Sequence, residues 1–378
     1  MAQTRPYTGV RILDMAHDYA RYATRLFADL GAEVIRVEPP GGLADRHESG
    51  PGAAERFAFF NASKRSVEID FDDAAGRRAF EALARDASVI LVERDGPMFD
   101  ALHELVTLAP QAVITAVSPF GLGGPLADAP ATDLTLQAAG GMTWMSGRPG
   151  EPPLRLPGGQ ATMMASVYTA TVTAIALVDA EATGRGHVID VAVNECIAHS
   201  LQNAIQVWDL ERRISMRGGE GTRDATEDIF RCQDGMVFLA SPLSLGTSWK
   251  SLVAMLAEEG HPSAVTLSEE RWQDRAWRTT SEARQAFREA FEAFTAGHTK
   301  QHLTEQAIAR RIVLGPVSRI GELVDDEQLA FRDFFQTLAR PDGEAARFPG
   351  PPYRFSGDHW HVSPAPALGE ANAAHGNA

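Results

Sequence analysis

One carboxylate, Asp133, heads the stretch "ATDLTLQAAGGMTWMSGRPGEPPLR" that runs from Ala131 to Arg155 and closes in a Gly/Pro-rich loop. Aspartate is a favoured helix N-cap and an apolar run follows it, so a capping role is the plain physical reading. The reciprocal partner of a capping box is not in view, because Leu136 stands three residues after Asp133 and Thr135 three after Thr132. Local residues therefore leave cap and chemistry both open. Elsewhere, "ASKRSVEIDF" sets Lys64 and Arg65 beside Ser66 ahead of an alternating strand pattern, which suits either a phosphate or a solvated surface pair. Arg36 lies inside the apolar run "EVIRVE", where a charge belongs near a strand end or a ligand more than deep in a core.

Several familiar chemistries have no motif here. GxxxxGK[ST], HExxH and GxSxG are missing, and "GLGGPL" (Gly121 to Leu126) lacks the last glycine of a dinucleotide fingerprint. His359 and His361 in "DHWHV" share one face of an extended segment without a nearby acidic or thiol partner, so no metal is expected.

These residues have to be positioned by a chain of 378 residues, long enough for two domains. Hydrophobic residues make up 44% and charged residues 22%, the balance of a globular protein with a full core. The formal charge of −15 repels a phosphate backbone, which argues against a nucleic-acid partner. Only Cys196 and Cys232 occur, without CxxC spacing, and they read as buried thiols in a reducing cytoplasm. The opening "MAQTRPYTGVRILDM" has no apolar secretory core. The most apolar run, Met163 to Val178, is shorter than the roughly 20 residues that span a bilayer, so a buried helix and no membrane are expected.

Short apolar runs at 10–15, 33–38, 88–93, 112–117 and 187–193 are separated by helix-length spacers, the pattern of βαβ units on a parallel sheet. The helical stretches "YARYATRLFADLGA", "AAGRRAFEALARDA" and the one beginning near Thr162 each stop at or near a glycine or a short polar turn. After about residue 210 the character changes to two short strands with a turn at Asp234-Gly235, then amphipathic helices to about residue 311. The predicted fold class is α/β, a large Rossmann-like domain with a parallel sheet (1–200, completed by 330–378) plus a smaller α+β domain (215–325). The final dozen or so residues read as a mobile tail.

Six blocks in order, "GVRILDMAHDYARYATRLFADLGAEVIRVEPPGG", "FNASKRSVEIDF", "SPFGLGGP", "TDLTLQAAGGMTWMSG", "EATGRGHVIDVAV" and "VLGPVSRIGELVDDEQLAFRDFF", resemble the class III CoA transferases, the family of formyl-CoA and carnitine CoA transferases. The resemblance spans residues 8–356 and implies that Asp133 is the nucleophile. A carboxylate suits that task, since its attack on an acyl-CoA keeps the bond energy in an anhydride or thioester, with no need for ATP. It further implies that Gly218, Gly219 and Gly221 of "RGGEG" form a catalytic glycine loop, that coenzyme A is held near Lys64 and Arg65 and near "ERDGP", and that no metal takes part; Arg36, by its place in the strand, Arg94, as a new phosphate contact, and Ser118 complete the expected coenzyme A contacts. Acyl-CoA and a small carboxylic acid are the implied substrates, and an interlocked ring-like homodimer the implied assembly.

The chain departs from the family where "DYARYA" replaces the usual "AGP" and Glu93-Arg94-Asp95 replaces "ENF". Met142, Trp144 and Met145 suggest a narrowed acyl pocket. Two alternatives stand beside the transferase. A racemase of the same fold would need a histidine where Thr132 stands and an aspartate that "RLPGGQAT" does not supply. A non-catalytic CoA-binding subunit of a hetero-oligomer is the other.

Overall fold

The computed structural model describes residues 5–375 except 149, 218–222, 340–342 and 358. The chain divides into two units, one formed by 1–147, 152–214 and 331–378, the other by 148–151 and 215–330.

The larger unit is built on β1 (Arg11–Asp14), α1 (Arg21–Asp29), β2 (Glu33–Glu38), α2 (Ala53–Asn61), β3 (Arg65–Glu68), α3 (Ala74–Arg85), β4 (Val89–Glu93), α4 (Leu102–Leu108) and β5 (Val113–Ser118). There follow α5 (Asp133–Ala139), α6 (Met142–Met145), α7 (Gln160–Thr183), β6 (Val188–Ala192), α8 (Val193–Ser200) and α9 (Gln202–Glu211). The six strands lie in the order β3-β2-β1-β4-β5-β6 and every pairing is parallel. All residues of β4 and β5 are buried, as expected of Val/Ile/Leu strands covered on both faces. The order reverses direction at β1 and β4, so the loops leaving their carboxyl ends diverge and open a crevice there.

Helix α7 has 24 residues, longer than the apolar run within it suggests, and is long and apolar enough by length and composition to cross a membrane. One stripe of it, Ala161, Ala165, Thr169, Thr173 and Leu177 at four-residue spacing, is buried. Thr173 meets Thr115 of β5 hydroxyl to hydroxyl at 3.0 Å, and the Ser166 hydroxyl donates to the Tyr19 carbonyl at 2.9 Å. It is a core helix on the sheet along this stripe, while Val167, Ile175 and Val178 on other faces are exposed.

The expected mobile tail is instead tied down over residues 369–372. Gly369 N–H donates to the Ser66 hydroxyl, Ala371 N–H to the Ser66 carbonyl, and the Asn372 side-chain carbonyl accepts from Glu68 N–H at 2.8 Å. Strand β3 is an edge, and its unpaired backbone groups supply the partners that Pro/Gly-rich composition does not reveal.

The smaller unit carries β7 (Asp228–Cys232), β8 (Gly235–Ala240), α10 (Thr247–Glu258), α11 (Ser263–Leu267), α12 (Arg275–Arg278), α13 (Ser281–Thr295), α14 (Lys300–Arg310) and β9 (Val313–Val317). The hairpin turn is Gln233-Asp234, with Gly235 already in β8, and β9 adds a third antiparallel strand not expected from the sequence. Its core is aromatic, with Phe230, Trp249, Trp272, Phe287 and Phe291 in mutual contact. The buried Arg278 lies over Trp249 and is neutralised by Asp224 at 2.7 Å. Finally, β10 (Phe335–Ala339) and β11 (Ala345–Pro349) form an antiparallel ribbon in the larger unit.

Candidate active site

Asp133 is the first residue of α5, and the cap is Thr132. The Thr132 hydroxyl accepts from Thr135 N–H at 3.3 Å, while the Thr135 hydroxyl accepts from Thr132 N–H at 2.8 Å. A capping box is therefore present after all, with a threonine hydroxyl in the place that glutamate usually fills. Its consequence is that the Asp133 side chain is released from capping its own helix.

That side chain reaches across to α7 instead. Its Oδ1 accepts from Ala161 N–H at 2.8 Å, in the first turn of the 24-residue helix, where backbone N–H groups lack intrahelical partners and the helix dipole favours an anion. Gly158 and Gly159 bring the chain into that turn with φ of +88° and +69°, a left-handed path that glycine alone takes without strain. The other oxygen, Oδ2, accepts from Gln137 Nε2 at 2.7 Å. Gln137 is fully buried and also accepts from Leu156 N–H at 3.0 Å and donates to its carbonyl at 3.2 Å. One side chain thus fixes the carboxylate and the loop before α7 together. Arg155 Nε lies 3.9 Å from Oδ2.

Asp133 opens onto a cavity of about 730 Å³ lined also by Asp18, Arg21, Phe59, Phe60 and Arg155. Arg21 stacks on Phe60 and pairs with Glu48 at 2.6 Å. A second cavity, about 370 Å³, sits at the carboxyl ends of β1, β4 and β5, the switch point of the sheet, and Asp18 lines both. The loop after β1 is held by Glu93 at the end of β4, whose carboxylate accepts from the N–H groups of His17, Tyr19 and Ala20 at 2.9–3.3 Å. Burial, with the Glu93 charge adding to it, pushes the Asp18 carboxyl up to about 6.

Arg36 and Lys64 come together, but in a buried ion network beneath this loop. Lys64 Nζ contacts Asp14 Oδ2 and the Arg21 carbonyl, each at 2.8 Å, and Asn61 Oδ1 at 3.0 Å. Arg36 pairs with Asp45 and Glu38 and donates to the Ala16 carbonyl at 3.0 Å. Burial alone would raise Glu38, yet Arg46, Arg36 and the Ser66 hydroxyl more than offset it and hold the carboxyl down to about 2. Burial lowers Lys64 despite Asp14. With their charges matched inside the protein, Arg36 and Lys64 present no surface to a phosphate in this arrangement. Arg65 is half exposed on β3, 3.6 Å from Glu33. Arg94 lines the second cavity, stacked on Phe99 and donating to the Ala127 carbonyl. Ser118 ends β5, buried, its hydroxyl without a hydrogen-bond partner among the described residues. Gly218, Gly219 and Gly221 lie outside the described residues. Met142 is in the core and Trp144 is exposed; they and Met145 do not line the Asp133 cavity.

Asp18, Gln137 and Arg155 were not singled out from the sequence, and Glu93 was named only as part of the segment that stands in place of "ENF". Gln137 alone had a local signal, its place one helical turn after Asp133. Among the described residues no group of three His, Cys, Asp or Glu side chains is arranged to hold a metal.

Residues 7–372 match the model of CoA-transferase family III, and the chain belongs to that family. It is 35% identical to the BbsE subunit of succinyl-CoA:(R)-benzylsuccinate CoA-transferase from Thauera aromatica, over 96% of this chain and 92% of that one. It is 28% identical to acetyl-CoA:oxalate CoA-transferase from Acetobacter aceti, over 98% and 94%. Among solved structures, a CAIB/BAIF family protein from Brucella suis matches its fold with a TM-score of 0.85 at 24% identity, covering 98% of both chains. The protein is an enzyme of this class, acting on CoA thioesters and carboxylic acids.

Proposed function

We propose that the chain moves CoA from an acyl-CoA to a free carboxylic acid with Asp133 as the covalent nucleophile. The observation that carries this reading is the Asp133 carboxylate on the wall of a 730 Å³ cavity, aimed by Ala161 N–H and Gln137 and relieved of capping by Thr132.

An Asp133 oxygen attacks the thioester carbonyl, the C–S bond breaks and CoA leaves as thiolate, giving a mixed anhydride. The thiolate attacks the aspartyl carbonyl, releasing the donor acid and leaving an aspartyl thioester. The acceptor carboxylate attacks that thioester to give a second anhydride and thiolate, which then attacks the acceptor's acyl carbon and regenerates Asp133. Each step exchanges one activated acyl bond for another, so positioning and exclusion of water are the protein's main contributions. The neutral, amide-bearing pantetheine arm fits the second cavity better than the phosphates do, because Asp18, Glu93, Asp95 and Asp128 line it against Arg94.

A homodimer is part of the reading. Leu210 is 81% exposed, and Ile205, Trp208 and Ile214 around it are at least half exposed, apolar surface that a second chain would cover. A hetero-oligomer is the competing assembly, because one relative is named as a subunit.

The test is to incubate the purified chain with a panel of acyl-CoA esters and look by mass spectrometry for a CoA adduct on the Asp133 peptide. Wild type is expected to carry it and Asp133→Ala to lack it. An adduct that survives the substitution would overturn the assignment, and activity only after addition of a homologous chain would favour the hetero-oligomer.

A further inference from the structure

Building on the nucleophile reading, we propose that Arg155 is the anchor for the acceptor acid, paired with Asp133 only while Asp133 is a carboxylate and handed to the incoming carboxylate once Asp133 has become a neutral thioester.

The argument begins with who holds Asp133. Its two short hydrogen bonds, 2.8 Å from Ala161 N–H and 2.7 Å from Gln137, come from neutral donors and suffice to aim it. Arg155 is the cation that pairs with it among the described residues, and loosely, with Nε 3.9 Å away and the side chain about half exposed. A contact of that length and exposure is a weak one, released at little cost. A counterion built to be permanent would sit closer and in a two-pronged geometry.

Its backbone is not loose. Leu154 N–H donates to the Ser146 carbonyl at 3.1 Å, and Leu156 is held at both its N–H and its carbonyl by Gln137. The residue is therefore fixed at its root by the same glutamine that fixes Asp133, and free at its guanidinium. Of the other cations on the cavity, Arg21 and Arg56 both pair with Glu48, at 2.6 and 3.0 Å, and Arg347 of β11 lines the wall without pairing with Asp133.

Charge then dictates the sequence of partners. In the free enzyme Asp133⁻ faces Arg155⁺. Attack on the acyl-CoA and return of the thiolate convert the aspartate into an uncharged thioester, which leaves the guanidinium without its counter-charge beside an electrophilic carbonyl. The acceptor carboxylate fills that vacancy and is held next to the carbon it must attack. When its oxygen bonds to the aspartyl carbon, the C–S bond breaks and CoA departs as thiolate. The thiolate then attacks the acceptor carbon, the C–O bond to Asp133 breaks, and the regenerated carboxylate again meets Arg155. Arg155 thereby favours a free acid only in the state in which an acid is chemically useful.

The half-reactions separate the two readings. Formation of the CoA adduct from acyl-CoA alone, followed by mass spectrometry, reports on Asp133; the KM for the acid in the full reaction reports on Arg155. For Arg155→Gln, adduct formation is expected within about threefold of wild type, while KM for the acid rises ten- to a hundredfold, as loss of a charge-assisted contact implies. Arg155→Lys, which keeps the charge, is expected to recover part of the affinity. An unchanged acid KM in Arg155→Gln would overturn the proposal, as would a fall in adduct formation equal to the fall in turnover. Absence of any adduct in wild type would instead refute the nucleophile reading on which it rests. The thermal melt of each variant is expected to match wild type, because the side chain is half exposed.

Discussion

Asp133 Oδ1 accepts the Ala161 N–H at 2.8 Å, so the reactive carboxylate of one helix is aimed by the first turn of another. Two consecutive left-handed glycines, Gly158 and Gly159, set where that turn begins. Gly159→Ala meets no atom within 4 Å, so its cost is the backbone conformation alone, about 1 kcal/mol. Because any relief of that strain shifts Ala161, turnover is expected to fall on the order of tenfold while the melting temperature moves only a few degrees. Steady-state kinetics beside a thermal melt check this; loss of both together would point to general unfolding.

Gln137 joins Asp133 to the loop that carries Arg155. Gln137→Leu keeps the volume but removes the side-chain partner of the Leu156 backbone groups, which lie at a partly exposed position where water can replace it, a cost of about 1 kcal/mol in urea denaturation. With Asp133 no longer oriented, kcat/KM is expected to drop about a hundredfold. Stability lost with activity retained would show that Ala161 N–H alone aims the carboxylate.

Burial first, and the Glu93 charge second, push the Asp18 carboxyl up to about 6 from the ordinary 3.8. The native state therefore holds its proton more tightly than the unfolded chain, and its contribution to stability is complete below pH 4 and is lost as pH rises to about 6. Asp18→Asn removes that dependence. The variant is expected to be more stable than wild type at pH 7.5, by about 2 kcal/mol after allowing for partial exposure, and equal to it at pH 4. Denaturation curves at the two pH values decide it, and an advantage present equally at both would mean that the ionised form is not penalised.

The buried network yields a sharper contrast. Lys64→Met strands Asp14 in the core beside the sheet and is expected to cost 3–5 kcal/mol, at about the level that abolishes soluble expression. Lys64→Met with Asp14→Leu removes both charges and is expected to regain a large part of that loss. A double variant no better than Lys64→Met would show that the hydrogen bonds to Thr24 and Ala16, which Asp14 also accepts, matter more than its charge.

Periodicity made the architecture of the larger unit readable, because most of its parallel strands are self-contained apolar runs and the crossover helices α1 and α3 are self-contained amphipathic ones. What it did not reveal shares one property, dependence on partners far away in the chain. Glu93 holds Tyr19 across 74 positions, and Lys64 meets Arg21 across 43. Strand β3 was read only as an alternating pattern after "KRS", and β9 was missed because a strand of "VLGPV" composition forms only when β8 offers its edge. The capping threonine pair escaped a rule framed on glutamate. Asp133 itself was ambiguous by local physics, and the ordered family blocks, not its neighbours, pointed to chemistry.

The covering of β3 by residues 369–372 also has a consequence in time. The bonded partners stand 303 and 304 positions apart, so a ribosome adding about 5–20 residues per second leaves that strand edge bare for roughly 15–60 s. During translation the nascent sheet exposes a template for pairing with other chains until its own distant segment emerges. Overproduction at high temperature should therefore favour inclusion bodies, and slower synthesis in the cold, or chaperones that shield nascent chains, should raise the soluble yield.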